Sequence, residues 1–278
     1  MQVRNIKEST LLSKLRGHPA GQTPWSDPET AALNQLTSTA RTIRRGADIV
    51  IQGRAYDSIF LLGEGFALRY RIMLDGRRQV LNVSIPGDTI GYPACFFDKS
   101  LYSVSALSKV VVYAISFEEI ATIFRDHPRL AVALFWSTAR EAAMFGEHLA
   151  NVGWRSASER LAHFLLEIAT RLEAIGLCDG GTFDLPLTQA KLADVLGLSI
   201  PHVNRMLRRL REDGLIEMSG PRVRIVNRPA LAALAEFNDS YLTCMPPQRA
   251  TAHLRPSAIN GSRHLAAPAA KSPAHRTA

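Results

Sequence analysis

Residues 188–210, TQAKLADVLGLSIPHVNRMLRRL, constrain the fold more strongly than any other segment of this chain. The spacing of their apolar residues predicts two short amphipathic helices joined by a tight turn. Counted from Gln189, Ala193 is the fifth residue, and its small side chain lets the helices approach closely. Gly197 is the ninth residue and accepts the left-handed conformation of a sharp turn. Val203, the fifteenth residue, fills the core between the helices. The segment therefore predicts a helix-turn-helix.

The second predicted helix starts at a well-defined signal. Ser199 is suited to the N-cap, and Pro201 loses no hydrogen bond in the first turn, where backbone amides have no partner within the helix. The polar residues of this helix face away from the core, so its first turns can reach base edges in the major groove of DNA. Arg205 can form a forked pair of hydrogen bonds with guanine, and Asn204 can pair with adenine.

Further residues complete a predicted DNA-binding surface. Arg208 and Arg209 lie one turn further along the same helix and are suited to holding phosphates. Residues 214–217 and 222–226 predict two short strands around a turn at 219–221, which would form a wing. The predicted contacts with DNA involve Thr188, Gln189, Ser199, Ile200, Pro201, His202, Asn204, Arg205, Arg208, Arg209 and Arg222. The alternative interpretation is an ordinary helical hairpin with a solvated basic face.

The distribution of charge favours a polyanionic partner. The chain has a net charge of +8. Residues 185–228 contain eight bases and four acids, and residues 246–278 contain five bases and no acid, so the two segments carry +4 and +5. The rest of the chain is close to neutral. A positive carboxy-terminal third indicates nucleic acid or an anionic membrane as the partner, and charge alone does not separate the two.

The amino-terminal half has a different pattern. Between Arg41 and Phe117, β-branched and aromatic runs alternate with glycines at about one turn signal per 10 residues, which is typical of an antiparallel sandwich or barrel. Asp75-Gly76 predicts a hairpin turn because glycine accepts positive φ. After Pro128 the pattern becomes helical and is apolar on more than one face. One face can cover the β domain while another meets the same helix of a second subunit. The alternative is a helix enclosed by its own chain.

Five units follow from these patterns. A length of 278 residues suits two domains, and Ser156 and Glu159 form a candidate capping box at the start of the second one. The Pro-, Ala-, Ser- and Arg-rich residues after 245 have no periodic apolar face. We expect an amino-terminal extension (1–38), a β sensor domain (39–127), a dimerisation helix (128–153), a winged helix-turn-helix domain (154–240) and a disordered basic tail (241–278). Within the extension we expect a weak helix and then a short helix at Pro28–Leu36.

Other classes of protein are disfavoured. Cys95, Cys178 and Cys244 form no CxxC pair, and the eight histidines form no HxxxH or HExxH pair, so we expect no disulfide framework, metal site or cofactor. No apolar run is long enough to span a bilayer, and the amino terminus lacks a secretory signal, so we expect a cytoplasmic protein without a membrane partner. The chain has neither a phosphate-binding glycine loop with lysine nor paired catalytic carboxylates, and we expect no enzymatic activity.

The combination resembles the Crp/Fnr family of bacterial regulators from about residue 40 to residue 240. The reader segment PLTQAKLADVLGLSIPHVNRMLRRLREDGLIE carries the most specific similarity, and RRGADIVIQGRAYDSIFLLGEGFALRYRIMLDGRRQVLNVSIPGDTIGY looks like the family's β-roll. The resemblance implies an α+β fold with an antiparallel, cyclic-nucleotide-binding-like β-roll, a long dimerisation helix and a carboxy-terminal winged helix-turn-helix. It also implies a homodimer on palindromic double-stranded DNA that contacts RNA polymerase, hence a sequence-specific transcription regulator.

The sensor segment departs from the family pattern. Gly91 is followed by Tyr92 where cyclic-AMP-binding members have glutamate, and Tyr102-Ser103 stands where they have Arg-Ser. The resemblance places an effector pocket at Gly91, Tyr92, Tyr102 and Ser103. A cyclic phosphate needs a cation or a nest of amides, whereas a phenol supplies a single neutral hydroxyl. We therefore expect that cyclic AMP is not the effector, whose identity stays open.

Several alternatives remain. The loop alignment can be shifted, so that Arg69, Arg71, Arg77 or Arg78 supplies the cation from a neighbouring strand. The chain can be a cyclic-nucleotide-gated enzyme or signalling subunit that shares the β-roll, or a dimer whose β-roll mediates protein contacts and binds no small ligand.

The amino-terminal cysteine cluster of the oxygen-sensing members is absent. Pro201 replaces a glutamate that commonly reads bases in the family, so the family's half-site is not assumed.

Overall fold

The computed structural model describes residues 25–243. The expected weak helix near the amino terminus, Cys244 and most of the expected tail lie outside the described residues. The first helix, α1 (Asp27–Leu36), confirms the predicted short helix. The amide of Ser26 donates a hydrogen bond to the Glu29 carboxylate at 2.8 Å and thereby caps α1. Arg129 also donates to Glu29, at 2.9 Å, and fixes α1 against a later helix.

Eight strands follow α1. They are β1 (Ala40–Ile43), β2 (Asp48–Val50), β3 (Ser58–Glu64), β4 (Ala67–Ile72), β5 (Arg78–Ser84), β6 (Thr89–Ile90), β7 (Ser103–Ala106) and β8 (Val110–Ser116). They form two antiparallel sheets with the orders β1-β8-β3-β6 and β2-β7-β4-β5. Val50, Leu62 and Val112 are fully buried in the apolar cluster that both sheets share. This arrangement confirms the antiparallel β-roll of the predicted fold class.

The strands differ in how well the sequence predicts them. β2, β3, β4, β5 and β8 coincide with the β-branched and aromatic runs of the sequence at 49–51, 59–62, 66–71, 79–83 and 109–115. β4 and β5 are joined by the predicted hairpin, in which Gly76 has a φ of +81°. β1, β6 and β7 are not predicted. They contain only two to four residues each, which is too short for the alternation of a strand to stand out.

Two helices connect the β-roll to the rest of the chain. The first, α2 (Phe117–Asp126), lies in a segment to which the sequence analysis assigns no helix, although Ser116 and Glu119 form a capping box at its start. The second, α3 (Pro128–Trp154), matches the predicted long helix at 128–153 and ends one residue later. Leu130, Ala133 and Met144 of α3 are buried against the chain, whereas Phe135 and Leu149 are exposed.

The carboxy-terminal domain contains a three-helix core and a small sheet. Its elements are α4 (Ala157–Glu173), β9 (Thr182–Asp184), α5 (Gln189–Leu196), α6 (Ile200–Glu212), β10 (Ile216–Ser219), β11 (Arg222–Ile225) and α7 (Arg228–Ala235). The sheet order is β10-β11-β9. The predicted helix-turn-helix and wing are confirmed, while β9 and α7 are additional elements. At the predicted capping box, the amide of Ser156 donates to Glu159 at 2.8 Å.

The two domains share one apolar core. Leu68, Val80 and Val83 of the β-roll belong to the same buried cluster as residues of the helix-turn-helix, and α5 packs directly against β5. We call this contact region the joint. It places the carboxy-terminal domain against β4 and β5 of the β-roll.

Buried charges cross the joint. The Arg171 guanidinium of α4 donates to Asp88, in the turn before β6, at 2.6 Å, and to the carbonyl oxygen of Val83 at 3.1 Å. Arg171 also forms an ion pair with Glu167 at 3.4 Å, and both side chains are 1% exposed. His148 of α3 lies 3.1 Å from the same carboxylate. The network joins the β-roll, α3 and α4.

The pKa values of Glu167 and His148 follow from their contacts in this network. Burial alone would raise the pKa of Glu167, but His148, Arg171 and a hydrogen bond from Tyr241 hold it at about 2. Burial alone would lower the pKa of His148, and the charge of Glu167 together with its hydrogen bond raises that pKa above its ordinary value. The Glu167 carboxylate is therefore ionised at neutral pH and needs its cationic partners.

We expect Arg171→Met to lower the free energy of unfolding by about 3–5 kcal/mol, because Asp88 and Glu167 then lose a buried cation. Urea unfolding followed by circular dichroism measures the loss. The control is Arg228→Met. Arg228 pairs with Glu173 of α4 at 2.6 Å, and both side chains are more than one third exposed, so we expect a loss of about 1 kcal/mol or less. Equal losses in the two variants would contradict the role given to the joint.

Candidate nucleic-acid interface and sensor pocket

The helix-turn-helix has the local geometry that its sequence predicts. Thr188 is the N-cap of α5 and accepts a hydrogen bond from the Lys191 amide at 3.3 Å. Gly197 ends α5 with a left-handed φ of +65°, the conformation expected of the ninth residue. Ser199 occupies the N-cap position of α6, although its side chain makes no capping hydrogen bond. Val203 is fully buried between the helices.

The outer face of α6 is exposed and basic. Arg205, Arg208 and Arg209 are all exposed. Arg208 Nε lies 2.7 Å from Glu212, and Arg209 Nε lies 3.8 Å from Asp213. Such exposed pairs contribute little energy, so a phosphate can replace the carboxylate at small cost. Arg205 forms no ion pair with any residue in the described range 25–243, which leaves its guanidinium available for a base.

The first turn of α6 presents a mixed surface. Ile200 and Pro201 are exposed, and His202 is half-buried. Asn204 is also half-buried, and its Oδ1 atom is shielded from solvent without a hydrogen-bond partner. An adenine contact needs this oxygen as an acceptor, so the side chain has to rotate outward before Asn204 can play its predicted role. Gln189, at the start of α5, is exposed beside this surface.

The wing adds a second exposed edge. Arg224 of β11 donates two hydrogen bonds to Glu217 on the paired strand β10, at 2.9 and 2.6 Å. Arg222 is exposed and lies opposite Ser219 in the register. The guanidinium of Arg224 is thus used within the wing, whereas Arg222 is placed at its tip. The DNA contacts named in the sequence analysis stay predictions, now with defined positions.

The two tyrosines of the predicted effector pocket pack in different apolar clusters. Tyr102 is buried in the cluster shared by the two sheets, whereas Tyr92 packs on a different cluster and against Phe96. Gly91 is buried at a φ of +82°. Ser103 accepts a hydrogen bond from the Gln52 amide at 2.9 Å. Burial raises the pKa of Tyr102 to about 12, so the phenol stays neutral.

A cation does lie beside Tyr102, and it comes from β4. Arg69 is 2% exposed, and its Cζ atom lies 4.5 Å from the centroid of the Tyr102 ring. Its Nη2 atom lies 2.5 Å from Oε1 of Glu141 on α3. Arg69 is one of the four alternative cations expected from the sequence, whereas Glu141 was not expected, because it lies 72 positions away and carries no local sequence signal. The buried cation beside Tyr102 is therefore already paired with a carboxylate of the same chain.

The other three arginines considered for this role lie at the surface. Arg71 is exposed on β4. Arg77 pairs with Asp75 in the hairpin at 2.6 Å, and the Arg78 guanidinium lies over the Tyr70 ring at 4.0 Å. Of the four, Arg69 alone is buried.

Two cavities lie near these groups. One, between β5, the start of β6 and α3, has a volume of about 10 Å³ and is lined in part by Ser84, Asp88, Arg140 and Glu141. That volume holds about one water molecule. The other, at the joint, has a volume of about 70 Å³ and is lined by residues of β5, α3, α4 and α5.

Metal sites and membrane spans can be considered for the described residues. Within residues 25–243, no three His, Cys, Asp or Glu side chains are grouped so that they could hold a metal ion. None of the helices in that range is long and apolar enough to cross a membrane.

Comparison with known proteins identifies the family. Residues 40–127 match the model of a cyclic nucleotide-binding domain, and residues 159–234 match that of a Crp-like helix-turn-helix domain. The transcriptional activator protein FnrL of Cereibacter sphaeroides is 30% identical over 201 residues, which are 71% of this chain and 80% of FnrL. The chain belongs to the Crp/Fnr family. Its members among the relatives are transcription regulators, and this Crp/Fnr protein is likewise a DNA-binding transcription regulator.

Two further Crp/Fnr proteins extend the comparison. The nitrogen fixation regulation protein FixK of Bradyrhizobium diazoefficiens is 30% identical over 213 residues, covering 76% of this chain and 88% of FixK. The structure of FixK2 from Bradyrhizobium japonicum has a TM-score of 0.64 and 26% identity, covering 70% of this chain and 96% of FixK2. These similarities confirm the predicted family and fold class.

We expect Arg205→Ala to reduce the preference of this Crp/Fnr regulator for its own site over a scrambled duplex by about 1–3 kcal/mol, because a forked contact with guanine is lost. Fluorescence anisotropy with both duplexes measures the preference, and circular dichroism checks that the variant is folded. Unchanged discrimination would refute the base-reading role.

Arg208→Ala is the matched variant on the same helix. It removes a phosphate contact, so it weakens binding to both duplexes alike and lowers the slope of log affinity against log salt by about one. A loss restricted to the specific duplex, with the salt slope intact, would show that Arg208 reads a base instead.

Proposed function

We propose that this Crp/Fnr regulator acts as a homodimer on a palindromic operator and that cyclic AMP does not control it. In this proposal, residues 39–127 form the sensor, 128–153 the dimerisation helix and 154–240 the DNA reader. The observation that carries the proposal is an exposed apolar stripe along α3, on the side away from the β-roll.

The stripe has the spacing of a two-stranded coiled coil. Apolar or small residues recur at alternating intervals of three and four, and from the second onward they are exposed: Val132, Phe135, Ala139, Ala142, Gly146, Leu149 and Gly153. Such a 3-4 repeat over about three heptads forms the seam between two helices. The alanines and glycines let two backbones approach closely. Phe135 and Leu149 are 65% and 76% exposed, and a second copy of α3 would bury both.

A dimer predicts the symmetry of the DNA site. Two copies related by a two-fold axis through α3 present two identical α6 helices, which calls for a site with the same symmetry and with half-sites about one helical turn apart. Eight bases against four acids in residues 185–228 supply the attraction to phosphates.

The remaining features of the proposal rest on the relatives. FnrL is named as a transcriptional activator protein, which supports contact with RNA polymerase and action in the cytoplasm, where the chromosome lies. We assign the chain no enzymatic activity of its own, since its relatives are regulators.

Selection of duplexes from a random pool by the purified protein tests the proposal. We expect an inverted repeat bound by two copies of the chain, as measured by sequencing and by sedimentation of the complex. Ala142→Lys places a charge in the centre of the stripe, so we expect monomers in solution and a loss of operator binding.

Ala150→Lys is the control for the stripe. Ala150 is exposed on α3 but lies beside the repeat, at a position where coiled coils carry charged residues, and we expect it to stay dimeric. Selection of a site without symmetry, or dimers of the Ala142→Lys variant, would overturn the proposal.

The proposal on cyclic AMP rests on charge. A buried cyclic phosphate needs charge-assisted hydrogen bonds, each worth about 1.5–3 kcal/mol, or more than tenfold in affinity. Tyr92 and Tyr102 supply no cation, and the guanidinium of Arg69 already pairs with Glu141 at 2.5 Å.

Calorimetric titration of the wild-type protein with cyclic AMP and cyclic GMP measures this directly. We expect no heat of binding in the low-micromolar range for either nucleotide. Low-micromolar binding of one of them, with a stoichiometry of one per chain, would contradict the prediction.

A further inference from the structure

Arg69 and Glu141 resemble an anion-binding site with its anion bound, in which Arg69 is the cation and the Glu141 carboxylate is the anion. Arg69 is 2% exposed, and the ring centroids of Tyr102 and Phe145 lie 4.5 and 5.5 Å from its Cζ atom. Glu141 reaches this guanidinium from α3, with Oε1 at 2.5 Å from Nη2. A buried arginine held by aromatic rings binds carboxylates or phosphates strongly, because little water competes for it.

We propose that Glu141 is a built-in anionic ligand of the sensor, whose carboxylate takes the place beside Arg69 that a small diffusible anion would occupy. This inference rests on the proposed function and concerns the regulation of that same sensor. It means that the β-roll is held against α3 without an effector.

The ion pair between Arg69 and Glu141 is not explained by a gain in the free energy of folding. Removing two charges from water costs about as much as their attraction returns, so apolar side chains of similar size would serve equally well. Arg69 lies on β4 and Glu141 lies on α3, so the pair instead specifies where the long helix sits on the sheet. A ligand bridging sheet and helix would specify the same thing.

The space around the pair also favours an internal occupant. The cavity that Glu141 lines with Ser84 and Arg140 has a volume of about 10 Å³, enough for about one water molecule and too small for acetate or phosphate. Arg69 itself is 2% exposed and pairs with Glu141, so an anion from solution can contact its guanidinium only after the Glu141 carboxylate has left. Glu141 is 17% exposed at its side chain, so its removal would open the site towards solvent.

Contacts lead from this site to the DNA reader. Arg140, next to Glu141 on α3, lies 3.5 Å from one carboxylate oxygen of Asp88, and Arg171 of α4 lies 2.6 Å from the other. The position of α3 on the β-roll is thus linked by buried charges to the first helix of the reader. A ligand acts by favouring one of two conformations. The Glu141 carboxylate would act in the same way, at a high effective concentration because it is attached to the same chain.

Chemical rescue tests the inference. Glu141→Ala removes the carboxylate and leaves room for acetate or formate. Thermal unfolding is measured for the wild type, Glu141→Ala and Glu147→Ala in increasing sodium acetate, against sodium chloride at the same ionic strength. Glu147 is the matched glutamate on α3, is partly exposed and pairs with Arg155. We expect a saturable rise in Tm with acetate for Glu141→Ala alone.

DNA binding gives the second readout. With a duplex selected by the wild type, we expect Glu141→Ala to bind about tenfold more weakly in chloride and to recover to within about threefold in acetate, a coupling of ordinary size for an allosteric site. The same behaviour of Glu141→Ala in acetate and chloride, or an equal response of all three proteins, would overturn the inference.

Glu141→Gln keeps the experiment decisive should Glu141→Ala fail to fold. The amide has the shape of the carboxylate without its charge, so we expect a folded protein with about tenfold weaker DNA binding that acetate does not rescue. Wild-type affinity in this variant would overturn the inference. If the wild type selects no duplex, the proposed function fails, while the acetate dependence of Tm still decides whether Arg69 accepts a carboxylate.

Discussion

The ion pair between Asp88 and Arg171 is the contact on which the arrangement of the domains depends. Asp88 belongs to the turn before β6, and Arg171 lies on the first helix of the reader, 83 positions later. Both side chains are largely removed from water, where a charge without its partner is costly. The relative position of sheet and helix is therefore restricted to one in which the two meet. Arg140 and Glu167 add α3 and α4 to the same network.

The protein uses arginine in two physically different ways. Arg69, Arg140 and Arg171 are buried and paired, so each fixes a contact between elements. Arg205 and Arg208 are exposed on α6, where water screens their charges and any pairing is weak. The buried set holds the architecture together, and the exposed set stays available for a polyanion. A surface that reads DNA requires this separation, because a strongly paired guanidinium would have to break its pair before binding.

The β-roll of this Crp/Fnr protein shares a buried ion pair with α3. Residues 40–127 match a cyclic nucleotide-binding domain and form two antiparallel sheets. Tyr102 stands at the position expected for a cation, and a buried arginine from β4 lies over its ring. Because Glu141 already pairs with that arginine, an incoming anion would have to displace a carboxylate of the same chain. The chemistry of the site thus depends on a helix that closes over the sheet.

The sequence by itself determined the helix-turn-helix, the wing, the hairpin at Gly76 and the long helix, because each depends on residues within a few positions of one another. Caps and turn glycines act locally, and periodic apolar residues mark a helix face. The same local signals at Ser116 and Glu119 could have revealed α2. β1, β6, β7 and β9 are too short to carry a period, and they exist because a neighbouring strand supplies their hydrogen bonds.

Only the tertiary structure decided the composition of the sensor site and the joint. Tyr92 and Tyr102 are close in sequence but pack in different clusters, whereas Arg69 and Glu141 are distant in sequence and meet. No periodicity links residues that face each other across a sheet and a helix, since their contact depends on how the chain folds between them. Charge pairing at long range is therefore a property of the fold, while capping, turning and helix formation are properties of the local sequence.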